Sequence, residues 1–276
     1  MTSKAKGITI YLLLAFGVAW IPLVIQWLFG LRSLSDNATL LEYSIFILVT
    51  LPTSFAPAIG AIVVRKWVSR EGFADSGLRL NIRKEWRYYL FALLYPGFVV
   101  PITLILAFLT GAGRPDFSAL SAVSLLQMII IAFVSTPIVW GEEFGWRGYL
   151  QVRLFTEKPL WAAVATGLIW GVWHYPMILM GYIFSGNPLG LLLYPVNMMF
   201  TSILYGWLRL RSGSVWPASL AHATGNTVIT PLLASLLPDV EWPLVWAGYR
   251  LAGLVVLCAW IVLTGQLKQQ PQIAEV

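Results

Sequence analysis

Charge is what this sequence has least of. Only 12 acidic and 18 basic residues occur among 276, charged residues make up 11% of the chain against 58% hydrophobic, and mean hydropathy is +0.76. A soluble globular domain carries about 25% charge, so that class is excluded and an integral membrane protein is indicated. The single cysteine, Cys258, lies in an apolar stretch, which excludes a disulfide framework and reads as packing. Neither a G-x-S-x-G nucleophile elbow nor an H-E-x-x-H zinc motif is present. No repeat, low-complexity tract or linker divides the chain, so residues 1–276 read as a single transmembrane domain.

What is present is a series of apolar runs. Each crossing needs about 20 apolar residues, and stretches of that length lie at roughly 8–30, 42–64, 88–110, 119–141, 160–183, 187–208, 214–236 and 243–264. The fold class expected is therefore all-α and polytopic, with about eight transmembrane helices around a cytoplasm-facing intramembrane cavity. Lys4 and Lys6 precede an uncleaved first span. The segment from Arg65 to Arg87 holds seven basic residues against three acidic and belongs on the cytoplasmic side. Arg147, Arg153, Lys158, Arg209, Arg211 and Lys268 fall on that same side if there are eight spans, which puts both termini in the cytoplasm. The loops at 181–190 and 237–243 hold no basic residue. In the long basic loop, Trp67, Phe73, Leu78, Leu80 and Trp86 interleave with Arg and Lys, as in a segment lying on anionic lipid or in an ordinary solvated loop. The net charge of +6 is explained by these loops, so membrane lipids are the expected partners and nucleic acid is not.

Ionisable side chains at membrane depth are costly unless paired or facing a wet cavity, which makes them functional candidates. The chain has only two histidines, His174 in "IWGVWHYP" and His222 in "SLAHATGNTV", and both fall inside spans. "VWGEEFGWRGYL" brings Glu142 and Glu143 to the cytoplasmic end of the fourth span. Depth along each helix lets the three groups meet in one cavity. His222 and Asn226 are four apart and share a face, among small residues that admit a neighbouring helix. Glu143 and Arg147 are also four apart and can pair, while Glu142 points about 100° away. Pro137, one turn earlier, is a candidate kink.

A carboxylate, two imidazoles and an amide suit attack of water on a carbonyl. Glu142 would take the proton, His174 would position the water or relay its proton, and His222 and Asn226 would donate to the oxyanion. Glu142, His174 and His222 would also serve as zinc ligands gathered from three helices. Arg250 reads as a structural partner or a residue snorkelling outward. Met177, Met180, Met198 and Met199 read as core or lipid-facing.

The ordered motifs Glu142-Glu143-x-x-x-Arg147, Trp170-x-x-x-His174 and His222-x-x-x-Asn226 resemble those of the CPBP family of intramembrane glutamate proteases, which includes CAAX prenyl endopeptidases and the bacteriocin-processing and immunity (Abi) proteins. The resemblance covers 119–236 and implies a catalytic core there. It implies that Glu142 and His174 activate water, that His222 and Asn226 form the oxyanion hole, and that Glu143, Arg147 and Trp170 support them, without a cofactor. It also implies a protein or peptide substrate, lipid-modified in members that process C-terminal tails, and a place in the cytoplasmic membrane if the source is prokaryotic. Trp170 departs from the Phe that the family usually has there. A non-catalytic immunity or scaffold protein of the same fold is the alternative. A proton-coupled carrier is disfavoured because paired broken helices in two similar halves are not evident.

Overall fold

The computed structural model describes residues 3–28, 40–118, 120–181, 183, 187–240 and 248–267, with the backbone course alone for 40–50. Lys268, parts of the 181–190 and 237–243 loops and the first residues of the expected eighth span lie outside the described residues. Eleven α-helices run in order among the described residues, with no strand. They are α1 (Ser3–Leu28), α2 (Leu40–Val63), α3 (Ile82–Leu94), α4 (Pro96–Leu109), α5 (Ala122–Gly145) and α6 (Pro159–Trp173). Then come α7 (Tyr175–Leu179), α8 (Gly190–Ser212), α9 (Trp216–Thr224), α10 (Thr230–Leu236) and α11 (Arg250–Leu263).

Proline and π-helical turns explain why eleven segments follow about eight apolar runs. Pro96 opens α4 directly after α3, and Pro176 restarts the chain as α7 after α6 ends at His174. A π turn at Gly225–Ile229 joins α9 to α10, and others extend α2 over Val64–Val68 and α5 over Trp146–Leu150. Among the described residues, four continuous helical stretches are long and apolar enough to cross a membrane: Lys4–Leu28, Ile82–Leu109, Ala122–Leu150 and Gly190–Ser212. Pro159–Trp173 and Arg250–Leu263 are shorter apolar helices. The molecule is an all-α polytopic membrane protein.

Burial follows the same logic. Leu109, Val134 and Leu263 stand exposed on the outer faces, where lipid replaces water as the solvent. Inside, small residues let backbones approach: Ala15 and Ala19 of α1 and Ala56 and Ala61 of α2 are fully buried. Two glycine pairs at GxxxG spacing do the same beside the candidate site. On α5, a Cβ at Gly141 would lie 2.8 Å from the Ser54 carbonyl, and one at Gly145 would collide with Pro57. On α6, a Cβ at Gly167 would lie 2.5 Å from the Met199 Cα, and one at Gly171 would collide with Pro195. These contacts seat α5 on α2 and α6 on α8.

The boundaries shift two of the sequence expectations. The fourth span does not end at 141. Helix α5 starts at a capping box made by Ser121 and Ser124, continues through Pro137, and runs on through the π turn, with every residue from Gly141 to Leu150 buried. Glu142 and Glu143 therefore lie within the helix rather than beyond its end. Arg65, counted in the basic loop, is fully buried instead: it donates to the Gly72 and Gly148 carbonyls and pairs with Asp75 at 2.8 Å. The rest of that loop keeps Trp67, Leu80 and Trp86 exposed.

Candidate active site

A cavity of about 340 Å³ opens among α5, α6, α8, α9 and α11. Glu142, Trp170, His174, His222 and Asn226 all line it, so the three motifs, up to 84 residues apart from Glu142 to Asn226, reach one space. Glu143 and Arg147 stand behind this wall and are completely buried.

The neighbouring glutamates have different surroundings. Glu142 Oε2 accepts a hydrogen bond of 2.8 Å from the Trp170 indole Nε1. Glu143 Oε1 accepts from Arg147 Nη1 at 2.9 Å, and His222 Nδ1 lies 3.0 Å from the same oxygen. An ion pair removed from water survives only when its remaining groups are held well. Here the Arg147 guanidinium also lies 4.4 Å from the Trp170 ring centroid and 5.3 Å from that of Tyr205, so it rests against two π faces.

Each histidine is oriented through Nδ1. His174 ends α6, and its Nδ1 lies 2.8 Å from the Trp170 carbonyl. A carbonyl only accepts, so Nδ1 carries the proton and Nε2 of the neutral ring is an acceptor. Trp170 thus serves three groups: its N–H holds Glu142, its carbonyl holds His174 and its ring covers Arg147. The Trp170 and His222 rings meet edge-on at 5.2 Å between centroids. Asn226 sits in the π turn one turn after His222 and is exposed to the cavity it lines.

Some cavity residues escaped the sequence reading. Arg250, taken as a structural or snorkelling residue, is buried and lines the cavity from α11. Tyr194 and Tyr205 carry no motif and face the cavity from α8, with Tyr194 4.9 Å from His174 between ring centroids. Met198, read as core or lipid-facing, is buried in the core, and it and Met177 wall the cavity. The one available signal was Arg250 itself, a cation in an otherwise apolar span. Cys258 is buried in packing, donating to the Phe200 carbonyl. Among the described residues no three His, Cys, Asp or Glu side chains converge in a way that would hold a metal ion.

Outside the membrane-spanning segments, a polar cluster ties the basic loop to the end of α5. Asp75 pairs with Arg65 at 2.8 Å and with Arg153 at 3.3 Å, and Arg153 also pairs with Glu71 at 2.5 Å. Burial pushes the Asp75 carboxyl up, but the hydrogen bond and charge of Arg65, with the charge of Arg153, hold it below its ordinary value. Because Arg65 also donates to the Gly148 carbonyl, the cluster braces the turn that carries Arg147.

Fold and site together define a polytopic helical membrane protein with a cavity lined by acid, imidazole and amide groups. Residues 121–228 match the family model described as type II CAAX prenyl endopeptidase Rce1-like. A curated relative, the CAAX prenyl protease 2 of Methanococcus maripaludis, is 28% identical over 176 residues, covering 61% of this chain and 62% of that protein. The chain thus aligns with less than two thirds of that relative's length. Over these residues the chain is similar to CAAX prenyl proteases.

Proposed function

We propose that this chain is an intramembrane endopeptidase of the CAAX prenyl protease type, hydrolysing a peptide bond with water activated by Glu142 and His174. The observation that carries this reading is the cavity lined at once by Glu142, His174, His222 and Asn226. With one Glu142 oxygen held by Trp170, the carboxylate is oriented to take a proton from a water in the cavity, and His174 Nε2 is oriented to accept from the same water. The resulting hydroxide attacks the carbonyl carbon, and Asn226 and His222 Nε2 donate to the oxyanion. His222 Nδ1 faces the Glu143 carboxylate, which orients the ring with Nε2 at its other end. As the C–N bond breaks, Glu142 returns the proton to the leaving amine.

The membrane setting proposed with it has eight spans, both termini in the cytoplasm and a cavity open to that side, with the catalytic core within 119–236. The reaction runs without a metal ion. The substrate is a protein or peptide whose lipid-modified tail enters from the bilayer. Support for the lipid comes from an apolar cleft of about 470 Å³ between α4, α5 and α10, lined by Val100, Leu104, Ile129 and Val228, on the far side of the helix that carries His222.

Purified protein in lipid nanodiscs, offered a farnesylated peptide, tests the reading. Cleavage is expected, with Asn226→Ala lowering turnover by about 10²-fold through loss of an oxyanion donor. Unchanged turnover in that variant would remove the oxyanion assignment. Stoichiometric zinc in active protein, lost together with activity on chelation, would overturn the metal-free mechanism.

A further inference from the structure

We propose that the outward face of residues 66–87 binds the headgroups of anionic phospholipids in the bilayer around the chain. This surface stands apart from the cavity and does not rest on the peptidase reading. Its charges are sorted by burial. Of the seven cations between Arg65 and Arg87, only Arg65 is buried. The three acids are engaged or turned inward: Glu71 pairs with Arg153, Asp75 with Arg65, and Glu85 is buried. Lys66, Arg70, Arg83, Lys84 and Arg87 are left pointing outward, so the exposed face is cationic. Between them Trp67, Leu80, Ile82 and Trp86 are exposed as well. Cations and rings lie close together, with Lys66 Nζ 5.0 Å from the Trp67 ring centroid and the Arg87 guanidinium 5.1 Å from that of Tyr88. Water would leave this apolar area uncovered, and hydrocarbon would leave the charges without counter-charge. A headgroup layer that carries phosphate accommodates both.

Depth along the helix agrees. The continuous stretch Ile82–Leu109 has 28 residues. At about 1.5 Å per residue it reaches about 42 Å, against about 30 Å of hydrocarbon and about 40–45 Å for the bilayer with its headgroups. Its far end, Phe108 and Leu109, is apolar and exposed and belongs in hydrocarbon, so the surplus falls at the start of α3. Those first turns carry Arg83, Lys84, Trp86 and Arg87. The preceding loop is fixed to the body of the protein. Arg209 Nη2 donates to the Asp75 carbonyl at 2.6 Å, the Val215 N–H to the Gly77 carbonyl at 2.9 Å, and the Trp216 indole to the Leu78 carbonyl at 3.0 Å. The Tyr89 hydroxyl donates to the Leu80 carbonyl. With its backbone pinned to α8, to the start of α9 and to α3, the segment presents its cations on a fixed frame, which lowers the ordering cost of binding.

The test titrates the detergent-solubilised chain with phosphatidylglycerol or with phosphatidylcholine and counts bound lipid by native mass spectrometry. Wild type is expected to bind phosphatidylglycerol at least about ten-fold more tightly, since each Lys or Arg at such a surface favours anionic lipid. The triple variant Lys66→Gln, Arg70→Gln and Lys84→Gln should lose most of that preference. A charge-matched control, Lys4→Gln, Lys6→Gln and Lys158→Gln, removes three exposed cations outside the segment and should keep it. Equal binding of the two lipids by wild type would overturn the proposal, and that comparison needs no variant. Retention of the preference in the first triple variant would overturn it too. So would an equal loss in the control, which would make the preference a matter of overall charge and not of this face. Should the triple variant fail to fold, the single substitution Lys84→Glu is expected to weaken phosphatidylglycerol binding while leaving phosphatidylcholine unchanged, and an unaltered preference there would count equally against the proposal.

Discussion

Glu142 and Glu143 are adjacent in the chain and face different partners: Glu142 meets the Trp170 indole at the cavity wall, while Glu143 lies completely buried between Arg147 and His222. One helical step of about 100° produces this division. It separates a carboxylate that lines the cavity from one committed to holding charge.

Substitution should therefore affect the neighbours differently. Glu142→Gln keeps the side chain's size and its contact with Trp170 but removes the proposed base, so cleavage should fall by about 10²-fold or more with thermal stability nearly unchanged. Glu143→Gln leaves the buried Arg147 guanidinium without its counter-charge, a loss of about 3–5 kcal/mol for pairs of this kind, so stability and activity should fall together. Thermal unfolding in detergent alongside a peptide assay separates these outcomes. Equal destabilisation by both substitutions would contradict the division of roles.

The Asp75 cluster makes stability depend on acidity. Its carboxyl lies below the ordinary value in the folded protein because Arg65 and Arg153 outweigh burial. The stabilisation is thus fully present above the ordinary carboxylate value of about 4 and is lost as pH falls through the lower folded value. Unfolding temperature measured from pH 7 downwards should decline on this limb, and Asp75→Asn should flatten it while lowering stability at neutral pH. A limb of unchanged steepness in Asp75→Asn would place the acid sensitivity elsewhere.

Close helix packing gives a third expectation. Gly145 abuts Pro57 of α2 and stands two residues before Arg147, so a methyl group there must push α5 off α2 or shift the turn carrying the ion pair. Gly145→Ala should cost about 1–3 kcal/mol, the usual range for overpacking, and should reduce activity more than Gly17→Ala on α1, where an added Cβ meets nothing within 4 Å. Unfolding midpoints and cleavage rates of the two variants provide the comparison.

Much of this arrangement was legible in the sequence because it rests on local spacing. Apolar run lengths located the helical rods, and four-residue separations put Glu143 with Arg147 and His222 near Asn226 on common faces. The readings that changed depend on contacts between distant segments. Nothing near Arg65 announces that it turns inward to the Gly148 carbonyl, 83 residues away. Arg250 looks like any cation near a helix end until α11 is packed against α4 and α8. The continuation of α5 past Gly141 was hidden because two glutamates and an arginine lower the apparent hydropathy of a segment that is in fact wholly buried.

Trp170 stands where the family that this sequence resembles usually has Phe, and the difference can be tested. The indole N–H donates to Glu142, and a phenyl ring has no donor to offer. Trp170→Phe keeps the aromatic face over Arg147 and the backbone carbonyl that orients His174, while removing that single hydrogen bond. Loss of one hydrogen bond to a charged group is worth about 1.5–3 kcal/mol, so kcat should drop by roughly ten-fold or more as Glu142 loses its fixed orientation, with KM little changed. Trp170→Ala, which also uncovers Arg147, should lose stability as well. Steady-state kinetics on the farnesylated peptide, read beside thermal unfolding, distinguish the two variants. Undiminished kcat in Trp170→Phe would mean that Glu142 is oriented without the indole.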